Sequence, residues 1–121
     1  MEKGRITKFE DLLVWKEGLD LSIEIYKILQ NCNDYGFRDQ IRRASVSIPS
    51  NIAEGFDRQS NKEYIQFLFI AKGSCSEVRT QLYLAKEIGI INELIADSLL
   101  ERSRKISAMI TKLISARKEN F

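Results

Sequence analysis

Ile95-Ala96-Asp97-Ser98-Leu99-Leu100-Glu101-Arg102-Ser103-Arg104-Lys105-Ile106-Ser107-Ala108-Met109-Ile110-Thr111-Lys112-Leu113-Ile114-Ser115-Ala116 carries the clearest periodicity in the chain. Ile95, Leu99, Arg102, Ile106, Met109, Leu113 and Ala116 alternate four and three apart, the spacing with which a helix presents one seam to its neighbours in a bundle. Only Arg102 breaks the apolar register. Its methylene stem suits the rim of a core with the charge turned out to water, and the other reading pairs it with a carboxylate or a ligand. Asn92 is the candidate cap of this helix.

Three further helices are legible upstream. Ile65, Leu68, Cys75, Val78, Leu82 and Ala85 form an inward stripe. Ser60 followed three residues later by Glu63 reads as a capping box that starts this helix at Asn61 or Lys62, and Gly89 stops it near Lys86. Before it, Phe37, Ile41, Ala44, Ile48, Ile52 and Phe56 keep helical spacing and predict a helix over about Phe37 to Gly55. Pro49 lies inside that helix, where it cannot donate to the carbonyl of Ser45 and is expected to kink the helix or split it in two. The first helix runs from Glu10 to about Cys32, with Leu12, Trp15, Leu19, Ile23 and Tyr26 on one stripe and Val14, Leu21, Ile25 and Ile28 on a second beside it. An apolar face that wide exceeds one packing seam. It marks either a central helix or a surface covered by another subunit, and Val14, Trp15, Leu21 and Ile25 are the candidate oligomer interface.

Four helices joined by short links predict an all-α, antiparallel up-down-up-down bundle, one domain over residues 1–121, with its second helix kinked at Pro49. A chain of 121 residues with 44% hydrophobic content can bury a core without a staple. One proline and six glycines leave little room for long loops. No uninterrupted apolar run follows the charged start, so neither a membrane span nor a secretory signal is expected, and the cytoplasm is the expected compartment. Cys32 and Cys75 suggest neither a disulfide framework nor a zinc site, and are expected to be buried and inert.

The chain contains no histidine. That removes the commonest general base and neutral metal ligand together with every Ser/His or Cys/His nucleophile pair. No glycine-rich phosphate loop or dinucleotide fingerprint is present either. Neither catalytic residues nor a metal or cofactor is therefore expected. A small carboxylate-based hydrolase would need Glu54 or Glu77 in a pocket with a raised pKa.

Charge is distributed more tellingly than the net +2 suggests. From Arg102 to Phe121, Arg102, Arg104, Lys105, Lys112, Arg117 and Lys118 face Glu119 alone. Cations at a helix C-terminus and a solvated face would account for this. In the middle of the chain Arg43, Ser47, Ser50 and Glu54 share one helical face. Read as a binding face, Arg42 and Arg43, joined by Arg58 and Lys62, meet phosphate oxygens. Read as packing, the small residues let helices approach closely, Glu54 pairs with an arginine and Asn51 satisfies backbone near the proline. Packing is favoured, because such a stripe beside a prolyl break needs internal partners. Ala71, Gly73, Ser74 and Ser76 form a small-residue patch suited to contact this segment.

The string Arg42-Arg43-Ala44-Ser45-Val46-Ser47-Ile48-Pro49-Ser50-Asn51-Ile52-Ala53-Glu54-Gly55 resembles the bacterial four-helix-bundle family encoded within intervening sequences of large-subunit ribosomal RNA. Ser47, Pro49, Ser50, Asn51, Glu54 and Gly55 are its structural motif here. Leu12-Leu13-Val14-Trp15-Lys16, Lys62-Glu63-Tyr64-Ile65-Gln66-Phe67-Leu68 and Ala71-Lys72-Gly73-Ser74 extend the resemblance over nearly the whole chain. The resemblance implies a ring-shaped homopentamer and does not imply an enzyme. A related branch, the accessory variability proteins of diversity-generating retroelements, joins a reverse transcriptase to its RNA through a basic surface, from which this nearly neutral chain departs. The expected function is thus a non-catalytic homo-oligomer binding RNA or a ribonucleoprotein complex through Arg42, Arg43, Arg58 and Lys62, with Arg102, Arg104 and Lys105 as a second cluster. The other expectation is a protein-binding scaffold that ignores nucleic acid.

Overall fold

Local signals at the helix ends explain where each element starts and stops. The computed structural model describes residues 5–120. A single 3-10 turn, Phe9–Asp11, precedes four helices: α1 (Leu13–Ile28), α2 (Tyr35–Phe56), α3 (Asn61–Glu87) and α4 (Glu93–Asn120). The Asp34 carboxylate accepts from the Phe37 backbone N–H at 3.1 Å and caps α2. Ser60 Oγ accepts from the Glu63 N–H at 3.1 Å and donates to the Glu63 carboxylate at 3.0 Å, so the capping box starts α3. Asn92 Oδ1 accepts from Leu94 N–H at 2.8 Å and heads α4.

Gly89 ends α3 with a φ of +81°, a left-handed conformation that a side chain would strain. Around it the Ile90 N–H reaches the Ala85 carbonyl at 2.9 Å and the Gly89 N–H reaches Lys86 at 3.4 Å, the paired bonds of a Schellman stop.

Contacts between helices pair rising numbers with falling ones. Arg42 meets Tyr26, Ser45 meets Ser22, and Gly18 faces Ile48 and Pro49 across α1 and α2. Ser47 meets Ser74 and Gly55 faces Tyr64 across α2 and α3. Lys86 meets Asp97 and Asn61 meets Arg117 across α3 and α4. The core they enclose is a column of aliphatic side chains that includes Leu21, Ile25, Ile41, Ile48, Ile52, Leu68, Leu82, Leu99, Ile106 and Ile110.

α1 turns the other way from a surface role for its second stripe. Val14, Leu21 and Ile25 are buried within this chain, whereas Leu19, Ile23 and Tyr26 are exposed. Val14, Leu21 and Ile25 are therefore core residues and not a face left free for another subunit. Trp15 is half-buried and meets Phe9 edge-on at 5.2 Å. The two stripes are similar in apolar character, so periodicity does not say which of them the other helices cover.

α4 is rotated by a fraction of a turn from the expected seam. Leu99 and Ile106 are buried as the four-three spacing predicts, but Ala96, Ser103, Ile110 and Ile114 point inward where Ile95, Arg102, Met109 and Ala116 were expected. Arg102 consequently sits at the rim, and the buried polar position beside it belongs to Ser103.

α2 passes through Pro49 as one helix and does not divide into two. Pro49 is buried against α1 where Gly18 leaves space: a Cβ there would lie 3.6 Å from Pro49 Cδ and 3.1 Å from Ile48 Cγ2. Hydroxyl bonds tie the helices at mid-height. Ser22 and Ser45 lie 3.0 Å apart, Ser47 and Ser74 2.9 Å apart, and Ser103 donates to the Cys75 carbonyl at 3.3 Å.

Candidate nucleic-acid interface

The motif around Pro49 is built chiefly from packing. Ser47 bonds α3 through Ser74, and Asn51 Nδ2 donates to both the Ser47 carbonyl (2.7 Å) and its hydroxyl (2.8 Å). Glu54 pairs with Arg58 at 2.6 Å one turn along α2 and onward. Gly55 allows α2 to touch α3, since a Cβ there would lie 2.6 Å from Phe67 Cβ. Ser50 is exposed.

Arg42, Arg43, Arg58 and Lys62 do not come together as one cluster. Sixteen residues of helix and turn separate Arg42 from Arg58, about 24 Å at helical rise. Arg42 leans on α1: its Nη2 donates to the Tyr26 carbonyl at 2.8 Å and its guanidinium lies 4.6 Å from the Tyr26 ring centre. Arg58 is held between Glu54 and Glu63 (3.9 Å) and over the Phe67 ring at 4.7 Å. Arg43 and Lys62 are exposed and carry no ion pair among the described residues.

On α4, Arg104 pairs with Glu101 at 3.4 Å and donates to the Tyr83 hydroxyl, while Lys105 is exposed. Arg102 lies where two grooves between α1 and α4 meet. One, of about 290 Å³, is lined by Glu24, Ile28, Leu94, Ile95 and Leu99; the other, of about 200 Å³, by Glu17, Lys105 and Ile106.

Sequence reasoning missed an aromatic partner for these cations. Tyr35 and Tyr26 are 61% and 42% exposed, and Arg38 lies 4.8 Å from the Tyr35 ring centre as Arg42 does from Tyr26. The signal was present in the spacing of Tyr35, Arg38 and Arg42, three and then four residues apart on one helical face. Tyr26 could be added only with the α1–α2 contact in hand.

Glu54 and Glu77 are both exposed and line neither groove. Among the described residues no group of three or more His, Cys, Asp or Glu side chains is placed to hold a metal ion. Burial pushes the Cys75 thiol up from its ordinary 9.0 to about 11, against the weaker opposing pull of Arg79. Cys75 is thus an inert core thiol, and Cys32 is half-buried with its thiol donating to the Asp34 carbonyl at 3.6 Å. No helix among the described residues is long and apolar enough to cross a membrane.

The fold and surface define an all-α four-helix bundle whose polar features are interhelical ties and dispersed surface cations. Residues 10–112 match the family model of the 23S rRNA-intervening sequence protein. The chain belongs to that family. It is also similar to the crystal structure of a protein of unknown function from the S23 ribosomal protein family of Bacteroides thetaiotaomicron, at 26% identity and a TM-score of 0.80. That likeness covers 84% of this chain and 98% of the other. No curated protein matches the chain.

Proposed function

We propose that this protein is a non-catalytic, cytoplasmic homo-oligomer, a ring of five copies, that binds RNA or a ribonucleoprotein complex through its surface cations. One observation carries the reading: Arg43, Lys62, Arg102 and Lys105 lack ion pairs among the described residues and are dispersed over α2, α3 and α4. One copy offers only separated, weak phosphate contacts. Repetition around a ring raises the effective concentration of each further contact once the first is made. The family name links its members to 23S ribosomal RNA, which makes structured fragments of that RNA the first ligand to test.

Self-association has its own support. α3 exposes Phe69, Ile70, Tyr83 and Leu84 on one side, the two pairs four turns apart. Between the pairs that side carries the exposed Gly73, Ser76, Glu77 and Thr80, so the pairs are two separate apolar patches, each of which favours a protein contact. The same patches support the second reading, a protein-binding scaffold that ignores nucleic acid.

Light scattering with and without a structured ribosomal RNA fragment separates the two. A pentamer that gains mass with RNA at low salt and sheds it at moderate salt supports the first reading, because phosphate contacts weaken steeply with ionic strength. The combined Arg43→Ala and Lys62→Ala substitutions should lower that salt dependence. A pentamer indifferent to RNA supports the scaffold, and a monomer at micromolar concentration contradicts both.

A further inference from the structure

The α1–α2 end of the bundle carries a ladder of rings and guanidinium groups, one rung of which, Arg42 on Tyr26, also ties the two helices. Tyr35, Arg38 and Arg42 follow one face of α2, and Arg42 reaches across to Tyr26 on α1. Tyr35 to Arg42 spans about 10 Å of helix axis, roughly three base steps of a nucleic-acid strand. Both tyrosines remain substantially open to solvent with a cation against each ring. Arg42 is fixed in place by its bond to the Tyr26 carbonyl, while its Nε–H is buried without an acceptor.

The nearby acidic groups are already engaged. Asp34 caps α2, and Asp39 accepts from Arg38 at 3.1 Å. Arg42 and Arg43 are left without acidic partners among the described residues, so the surface presents positive charge beside two rings that each carry a guanidinium and remain partly exposed. Such a combination suits unpaired bases, which stack on rings while cations follow the phosphates. A duplex hides its base faces and cannot use the rings in this way.

We propose that this end of the bundle binds single-stranded RNA, with bases stacked at Tyr26 and Tyr35 and phosphates met by Arg42 and Arg43. The assignment rests on the RNA-binding reading above and specifies its site and the form of the RNA. Arg58 and Lys62, at the far end of α2 and the start of α3, lie outside it.

The test is fluorescence anisotropy of the full chain with a short labelled RNA of mixed sequence, offered as a single strand and as a duplex, over a salt series. The single strand should bind more tightly. Tyr26→Ala and Tyr35→Ala should each weaken it by about fivefold or more and leave the salt slope unchanged, whereas Tyr26→Phe and Tyr35→Phe should bind like the parent. Arg43→Ala should lower the slope. Circular dichroism of each variant checks that the helices persist, and the comparison of single strand with duplex on the parent keeps the test valid should an alanine variant unfold. Equal binding of duplex and single strand, or folded alanine variants that bind like the parent, overturns this site and leaves the broader reading standing. If the parent binds neither RNA, both readings fail.

Discussion

Adding one methyl group at each of three helical glycines should change stability with opposite signs. At Gly55, a Cβ would lie 2.6 Å from Phe67 Cβ, 3.2 Å from Tyr64 Cδ1 and 3.3 Å from the Tyr64 carbonyl oxygen. Carbon atoms prefer separations of about 3.5–4.0 Å. Phe67 Cβ is attached directly to the α3 backbone, so no side-chain rotation relieves the clash and the two helices must separate. Overpacking of this kind costs about 1–3 kcal/mol, here towards the upper end, and alanine returns about 1 kcal/mol through helix propensity. Gly55→Ala should therefore lose about 2 kcal/mol, lowering Tm by about 6–10 °C for a chain this size. At Gly73 nothing lies within 4 Å, so Gly73→Ala should gain about 1 kcal/mol. Gly18 falls between, because its nearest neighbour is the branch methyl of Ile48 at 3.1 Å, and the two effects should nearly cancel. Urea and thermal unfolding of the three variants gives the order directly. A Gly55→Ala variant as stable as Gly73→Ala would refute the close approach of α2 and α3.

Cys32 should react with a thiol reagent in the folded protein, whereas Cys75 should wait for unfolding, which counting modified thiols with and without denaturant will show. Because the folded Cys75 pKa lies at about 11 and its ordinary value at 9.0, the unfolded chain loses that proton first as pH rises. The stabilising contribution is fully present below pH 9 and falls as pH rises towards 11, by about 2–3 kcal/mol in all; urea melts across this range should show the fall, and Cys75→Ala should flatten it. Ser22→Ala and Ser45→Ala each remove one half of a buried hydroxyl pair and should each cost about 1–2 kcal/mol. Their double variant should cost less than the sum, and additive losses in a double-mutant cycle would show that the two hydroxyls do not interact.

The four-helix architecture was legible because each helix carries its own local instructions. Ser60 with Glu63, Asn92 and Gly89 set three of the helix ends without reference to the rest of the fold. Rotation about the helix axis was harder to read. On α1, Val14, Leu21 and Ile25 compete with Leu19, Ile23 and Tyr26, and only the neighbouring helices decide which stripe is buried. On α4, Ser103 faces inward because it bonds the Cys75 carbonyl, a partner 28 residues away that no local period reveals. The candidate interface was the least legible part. Adjacency in sequence placed Arg42 near Arg43, but the separation of Arg42 from Arg58 and the stacking of Arg42 on Tyr26 depend on tertiary geometry.

The serine pairs at mid-height have a bearing on how this bundle tolerates change. A helix held only by aliphatic side chains can slide by one turn and still find similar neighbours. Here a slide would break the Ser22–Ser45 and Ser47–Ser74 bonds; Ser45 and Ser74 keep the Arg42 and Ile70 carbonyls of their own helices, but the Ser22 hydroxyl would enter hydrocarbon, where an unmet hydroxyl costs about 1–3 kcal/mol. Alignment is therefore stored inside the bundle and the connecting turns need not supply it. Doubling the length of a flexible turn adds only about 0.6 kcal/mol of closure entropy, less than the misalignment it would have to permit. Descendants of this chain can thus lengthen the Asp57–Ser60 turn, or carry a short insert there, while the four helices keep their heights.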